Sequence, residues 1–212
     1  MWKFIIDGGW LMLPIFICSF FSVMIIVERL FFYFFSVSKF KSTLILSEVL
    51  ECVRKNKITE AIDICKTKSF YLTNILKAGL FYCDGSREIV RETMENASLC
   101  EIPKLEKNLN FLSTLAHISP LIGLLGTVVG LVKCFQNIEE VTAVAGMVNP
   151  STLAGGIRVA LHTTVGGLCV AIPAYIAYNY FVHKVNLYVR EAEIAAVELI
   201  EVFSQSSTPK IK

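Results

Sequence analysis

From Phe111 to Val132 the chain reads FLSTLAHISPLIGLLGTVVGLV, and no charged residue interrupts it until Lys133. About 20 apolar residues wound as a helix cross the hydrocarbon core of a bilayer. Residues 111–135 therefore predict a membrane-spanning helix. A second run of this kind, Gly155 to Phe181, is broken only by Arg158 near its start and His162 further in. It predicts a span over 153–183. Nearer the N-terminus, a run from Trp10 through Pro14, Phe21 and Val27 meets Glu28-Arg29 and resumes as Leu30-Phe31-Phe32-Tyr33-Phe34-Phe35. Residues 1–38 thus read as an N-terminal segment with a first span, its Trp10 and Phe/Tyr ends placed like interfacial aromatic belts.

Composition agrees with this reading. Hydrophobic residues make up 54% of the chain and charged ones 18%, with a mean hydropathy of +0.60. A soluble domain carries about a quarter charged residues, and here the apolar excess is concentrated in the three runs. A net charge of +2 leaves no basic footprint for nucleic acid. Cys18, Cys52, Cys65, Cys83, Cys100, Cys134 and Cys169 form no C-x-x-C pair, and no histidine stands at zinc-finger spacing from them. They read as small apolar filler in reduced cytoplasm or lipid, so neither a metal nor a cofactor is expected. The N-terminal segment lacks the small-residue cleavage pattern of a signal peptide, and none is expected.

Between the first two spans the character changes. Residues 39–110 alternate in charge and carry short amphipathic stretches around Leu44, Val49 and Ile62. A longer helix is predicted from Ser86, an N-cap type following an Asp84-Gly85 turn, with Pro103 placed to kink or divide it. Residues 136–152 read as a short loop, with Glu139, Glu140 and Pro150 but no lysine or arginine. Residues 184–212 read as a C-terminal helix and a polar tail frayed from Ser204. The middle segment holds twelve of the twenty basic residues, among them Lys39, Lys41, Lys104 and Lys107 beside the spans. The positive-inside rule then puts 39–110 and the C-terminus in the cytoplasm and the N-terminus outside. The fold class is all-α: an integral membrane protein with three transmembrane helices extended by cytoplasmic helices.

Several residues in the spans stand out. Gly123, Gly126 and Gly130, with Gly155, Gly156, Gly166 and Gly167, are small enough to let helices approach closely. Thr127 and Thr164 lie deep in apolar sequence. Each hydroxyl either bonds its own helix one turn back or lines a polar path. At about 100° per residue, Ala160, Leu161, Thr164, Gly167, Leu168 and Ala171 share one face of the third helix, and His162 points nearly opposite to Thr164. An ionisable group at this depth is either a relay or a neutral imidazole bonded to a neighbouring helix. Arg158 lies close enough to the interface to snorkel. Pro173 frees the carbonyl of Cys169 and bends its helix.

The stretch Pro120-Leu121-Ile122-Gly123-Leu124-Leu125-Gly126-Thr127-Val128-Val129-Gly130 resembles the P-x-x-G-L-x-G-T-V-x-G signature of the ExbB/TolQ/MotA proton-channel family. Thr164, Gly167 and Ala171-Ile172-Pro173-Ala174 resemble its third-helix pattern, T-x-x-G-L-x-x-A-I-P-A. Gly9-Trp10, Met12, Pro14 and Glu28-Arg29-Leu30 resemble its first helix. The resemblance covers nearly the whole chain. It implies a homo-pentamer in the bacterial inner membrane around two copies of an ExbD/TolR-like single-span protein. It also implies a TonB- or TolA-like periplasm-spanning partner, driven by an H⁺ or Na⁺ current. Thr127 and Thr164 fall on the family's pore-lining positions. Glu28 falls at the cytoplasmic end of the first helix, where its structural role would be to pair with Arg29 or another subunit. Val159 departs from the pattern, because many relatives carry a glutamate there.

The expected function is thus the channel subunit of a motor that uses proton-motive force to energise an envelope process, not an enzyme. A flagellar-stator-like channel subunit is the alternative within the class, with three spans against that family's usual four. A passive scaffold would leave the glycine-threonine signature without a reason. An intramembrane hydrolase would need a nucleophile with a base or metal, and neither G-x-S-x-G nor H-E-x-x-H occurs.

Overall fold

The computed structural model describes residues 9–34, 42–68, 70–83, 85–145 and 150–206. Lys39, Lys41, Asp84 and the tail from residue 207 lie outside the described residues. Among the described residues there are seven helices and no strand. These are α1 (Met12–Phe32), α2 (Ser42–Arg54), α3 (Ile58–Thr67), α4 (Tyr71–Phe81), α5 (Arg87–Glu106), α6 (Leu109–Ala145) and α7 (Pro150–Ser206). Three of them, α1, α6 and α7, are long and apolar enough to cross a membrane.

Two regions differ from expectation among the described residues. The region 136–152, expected as a loop, is helical from Gln136 to Ala145 and again from Pro150. Its Gln-Asn-Ile-Glu-Glu-Val run offers no glycine or proline to stop α6, and proline suits the first turn of α7, where its missing amide costs nothing. Residues 146–149 lie outside the described residues. Pro103 does not divide α5, which continues from Arg87 to Glu106. Ser86 caps α5 as its sequence predicts, accepting from the Ile89 amide at 3.4 Å. The third span and the C-terminal helix are both parts of α7, which continues through Ser204, where a frayed tail was expected.

The chain divides into two compact units. The first comprises residues 1–28 and 108–180. In it, several small and polar side chains are buried beside large ones such as Ile15 and Leu112, and many large apolar side chains face outward. Ser22, Ser119, Thr163, Ala160, Ala171 and Ala174 are buried, whereas Leu121, Leu124, Val128, Leu161, Val165 and Ile176 are exposed. A water-soluble core shows the reverse order. The apolar windows of the three long helices are only 28%, 33% and 28% buried, so most of their surface is left for lipid or other subunits. Met12 and Ile15 of α1 lie against Gly166 of α7, and Phe21 meets Phe111 edge-on with ring centroids 6.1 Å apart. At the start of α6, Asn108 takes the left-handed conformation (φ 61°), which asparagine tolerates better than most residues, and donates to Glu28 Oε2 at 2.8 Å.

The second unit comprises residues 29–107 and 181–212, and it is a bundle of helices with large apolar side chains inside. Helix α2 packs on α3, α3 on α4 and α4 on α5. Leu72, Ile75, Leu76 and Leu80 are buried with Met94 and with Val185 and Leu199 of α7. Gly79 is where α4 lies closest to these neighbours, since a Cβ there would stand 2.6 Å from Met94 Sδ and 3.2 Å from Leu199 Cδ2. Tyr33 stacks on Phe181 and Tyr188, and its hydroxyl donates to the Leu105 carbonyl at 2.8 Å, one of the carbonyls left open at the end of α5. Tyr71 donates to Glu191 Oε2 at 2.8 Å. Thr73 accepts from the Phe70 amide at 2.9 Å and so caps α4 from inside the core.

Burial separates the cysteines of this unit. Cys65 is buried, and desolvation pushes its thiol up from 9.0 to about 11, whereas Cys100 is exposed. Since the thiolate is the nucleophile, a maleimide at pH 7.5 should modify Cys100 readily and Cys65 only after denaturation, read by mass spectrometry of the labelled peptides. The raised value also fixes a sign. The stability contributed by the neutral Cys65 is complete below about pH 9 and is lost as pH rises towards 11, because the unfolded chain gives up that proton first.

Candidate functional site

The first unit holds one seam of close approach, between α6 and α7. Going up α6, its small residues are Ser119, Gly123, Gly126, Gly130 and Cys134. They meet, in reverse order along α7, Gly167, Thr164, Thr163, Ala160 and Gly156. A Cβ placed on Gly167 would stand 2.5 Å from the Ser119 carbonyl oxygen, and one on Gly123 would stand 3.0 Å from that of Thr163. One on Gly156 would lie 2.6 Å from Cys134 Cβ. On Gly126 it would run into the Thr163 side chain. Backbone therefore faces backbone along the seam, which only small residues allow.

Hydroxyls are threaded through this contact. Thr164 Oγ1 donates across it to the Gly123 carbonyl at 3.2 Å. Thr163 Oγ1 donates to Ala160 O at 2.8 Å on its own helix and lies 3.5 Å from that same Gly123 carbonyl. Ser119 bonds Leu115 O at 2.7 Å. Thr127 bonds Leu124 O at 2.6 Å, one turn back on α6. The two threonines thus differ in where their protons go. Thr127 is back-bonded, and Thr164 is a cross-helix donor. In each case the proton is taken by a carbonyl, so the hydroxyl oxygen offers what remains, its lone pairs.

The other expected residues are placed as follows. His162 and Thr164 are both half-buried, and Thr163 between them is fully buried. Glu28 is exposed and bonded to Asn108. Arg29 is 98% buried, lies 5.2 Å from the Phe32 ring centroid, and its charge acts on the Tyr33 hydroxyl. Pro173 lies within α7, which is continuous through it.

The model of the MotA/TolQ/ExbB proton channel family matches residues 68–194. The ExbB-like 3 protein of Synechocystis sp. is 30% identical over 184 residues, covering 87% of this chain and 84% of the relative. Biopolymer transport protein exbB1 of Vibrio cholerae is 30% identical over 166 residues, covering 76% and 70%. The Tol-Pal system protein TolQ of Pseudomonas aeruginosa is 42% identical over 98 residues, covering 46% and 41%. The chain belongs to the MotA/TolQ/ExbB proton channel family. Its relatives are named for biopolymer transport and for the Tol-Pal system.

For this family member, the helical-face estimate from sequence needs one adjustment. It placed Leu161 and Leu168 with Thr164 on the face that mattered, but both are exposed. The seam face runs Gly156, Ala160, Thr163, Gly167, Ala171, Ala174. The estimate was centred on a polar residue, whereas the contact is centred on small ones. Thr163 and Ser119 were missed for that reason. The signal was present all the same, as small residues spaced by four or three along both helices (Ala116, Ser119, Gly123, Gly126, Gly130 on α6).

Two glycines of α7 test the seam against each other. Gly167→Ala places a methyl against the Ser119 carbonyl and should lower the melting temperature of the purified protein or prevent its assembly. Gly155 has nothing within 4 Å of its Cβ position and no positive φ. Gly155→Ala should therefore leave melting unchanged or raise it, helical alanine being favoured over glycine by about 0.5–1 kcal/mol. Equal tolerance of both changes would mean that the seam does not hold the fold.

Proposed function

We propose that this chain is the multi-span subunit of a motor in the bacterial inner membrane that turns proton-motive force into movement of an envelope protein. Five copies surround two copies of an ExbD/TolR-like single-span partner, and a TonB- or TolA-like protein carries the movement across the periplasm. The N-terminus is periplasmic, and residues 39–110 and the C-terminus are cytoplasmic. Thr127 and Thr164 line the ion path. One proton falling through 100 mV releases roughly 2.3 kcal/mol, enough over repeated passages to drive a cycle of modest barriers.

One observation carries the residue assignment. The spans of a proton-channel subunit hold threonine oxygens whose protons are already committed to carbonyls, while residues 111–135 and 153–183 contain no Asp or Glu. Such oxygens accept a hydrogen bond from a protonated acid or from water, but they supply no titratable proton themselves. A bare charge at mid-membrane costs several kcal/mol even on lenient scales, so the ion needs a titratable group, and a carboxylate must come from outside these two spans. Val159, where many relatives have glutamate, points the same way. The carboxylate that carries the ion belongs to the single-span partner, and His162 is a packing residue.

Thr127→Val and Thr164→Val should leave the complex inserted and assembled while abolishing proton flux, measured in vesicles with a pH-sensitive dye under an imposed potential. His162→Gln should retain substantial flux, and replacing the partner's membrane aspartate by asparagine should eliminate it. A dead His162→Gln complex of normal mass would move the relay into this subunit. Native mass measurement should give five copies of this chain with two of the partner. For topology, exposed Cys100 should react with a membrane-impermeant maleimide only after the membrane is opened, and labelling in intact cells would reverse the orientation.

A further inference from the structure

Thr163 belongs to neither the family signature nor the proposed ion path, yet it is the most deeply buried side-chain hydroxyl of α7 within the seam, at 1% exposure. Its side chain fills the notch that Gly126 leaves on α6. A Cβ built on Gly126 would meet Thr163 Oγ1, stand 2.5 Å from its Cβ and lie 3.0 Å from its Cγ2. Threonine in a helix divides between two side-chain rotamers because its hydroxyl can bond back to a carbonyl one turn away. Here the 2.8 Å bond to Ala160 O selects one of them and sends both branches into the notch. Adjacent residues of a helix lie about 100° apart, so seating Thr163 fixes where Thr164 points. The neighbouring contacts leave little freedom to turn, since Gly167 lies against Ser119 and Gly123, and Gly130 against Ala160.

We propose that Thr163 is a positioning residue: seated in the Gly126 notch, it sets the rotation of α7 on α6 and so aims the Thr164 hydroxyl at the Gly123 carbonyl. This rests on the reading of Thr164 as a path residue. The shape of Thr163, a β-branched knob in a glycine hole, does the positioning. Its hydroxyl chooses the rotamer and makes no ion contact. Gly126, part of the family signature, thereby has a partner on the other helix, which the signature alone does not name.

The test uses the complex purified with its single-span partner, with proton flux divided by the amount of assembled complex. Thr163→Ala removes both branches of the knob and should lower flux per complex about tenfold, as small misplacements of a working group do, with assembly unchanged. Thr163→Val keeps the branched shape and should retain flux within about threefold of the unaltered complex. Gly126→Ala should also be impaired. Adding Thr163→Gly, which removes the three atoms nearest the new methyl, should give a loss at least about threefold smaller than the product of the two single losses, because contacting residues couple in a double-mutant cycle. Wild-type flux in Thr163→Ala, a flux loss in Thr163→Val equal to that of Thr163→Ala, or effects of Gly126→Ala and Thr163→Gly that simply multiply would each overturn the proposal. So would a Thr163→Ala loss that tracks lost assembly, which is what a purely structural residue gives. Should Gly126→Ala fail to insert, the Thr163→Ala and Thr163→Val comparison still decides. Full flux in Thr164→Val alone would sink the path reading and this inference with it. A dead Thr164→Val beside an active Thr163→Ala would sink only the inference.

Discussion

The close contact of α6 with α7 is the constraint on which the membrane part depends. In lipid no hydrophobic force draws two apolar helices together, because the acyl chains are as apolar as leucine. Association has to come from dispersion between surfaces that fit and from hydrogen bonds between helices, the latter averaging about 0.6 kcal/mol each in measured cases. Such a contact is a sum of small terms, each falling steeply with distance. Gly123, Gly126, Gly130, Gly156 and Gly167 keep that distance short, and Thr164 adds its bond to the Gly123 carbonyl. An added methyl at the seam forfeits contacts on both sides of it.

The second unit holds together by the opposite arrangement. Its inward residues are large, with Leu72, Ile75, Leu76, Leu80, Leu199 and Phe181 each almost wholly buried, and hydrophobic transfer from water stabilises it at about 25 cal/mol per Å². Its ion pairs are mostly surface pairs, such as Lys55 with Glu51 and Arg91 with Glu95, which solvent screens so that they add little to stability. Lys104 with Glu101 differs. The Glu101 side chain is only 14% exposed and is also held by Asn74 Nδ2 at 3.2 Å. The two units thus differ at their closest contacts, small residues along the α6–α7 seam and large ones inside the helical bundle.

Polar groups follow the same division. In the first unit the hydroxyls of Ser119, Thr127, Thr163 and Thr164 all end on backbone carbonyls, as groups that cannot reach water must. In the second unit Arg29 is buried, with its cation over the Phe32 ring and acting on the Tyr33 hydroxyl. Arginine suits that place because its weakly hydrated, planar head tolerates aromatic surroundings better than an ammonium does.

Much of this was written locally. Span length, the change of character between Lys39 and Asn110, the Ser86 cap and the glycine-threonine signature depend on neighbours within a few turns, and the sequence alone was enough to place three membrane helices and the family. Local reasoning was weaker at the ends of elements. Residues 136–145 read as loop because they are polar, although nothing in them prevents α6 from continuing. What the tertiary structure alone decided is which of two adjacent threonines enters the seam, that Glu28 bonds Asn108, and that Gly126 faces Thr163. The 3.6-residue period ranks the faces of a helix but leaves its rotation free by about one residue. A second helix removes that freedom, because a knob must find a hole, and Gly126 lies 37 residues before Thr163 along the chain.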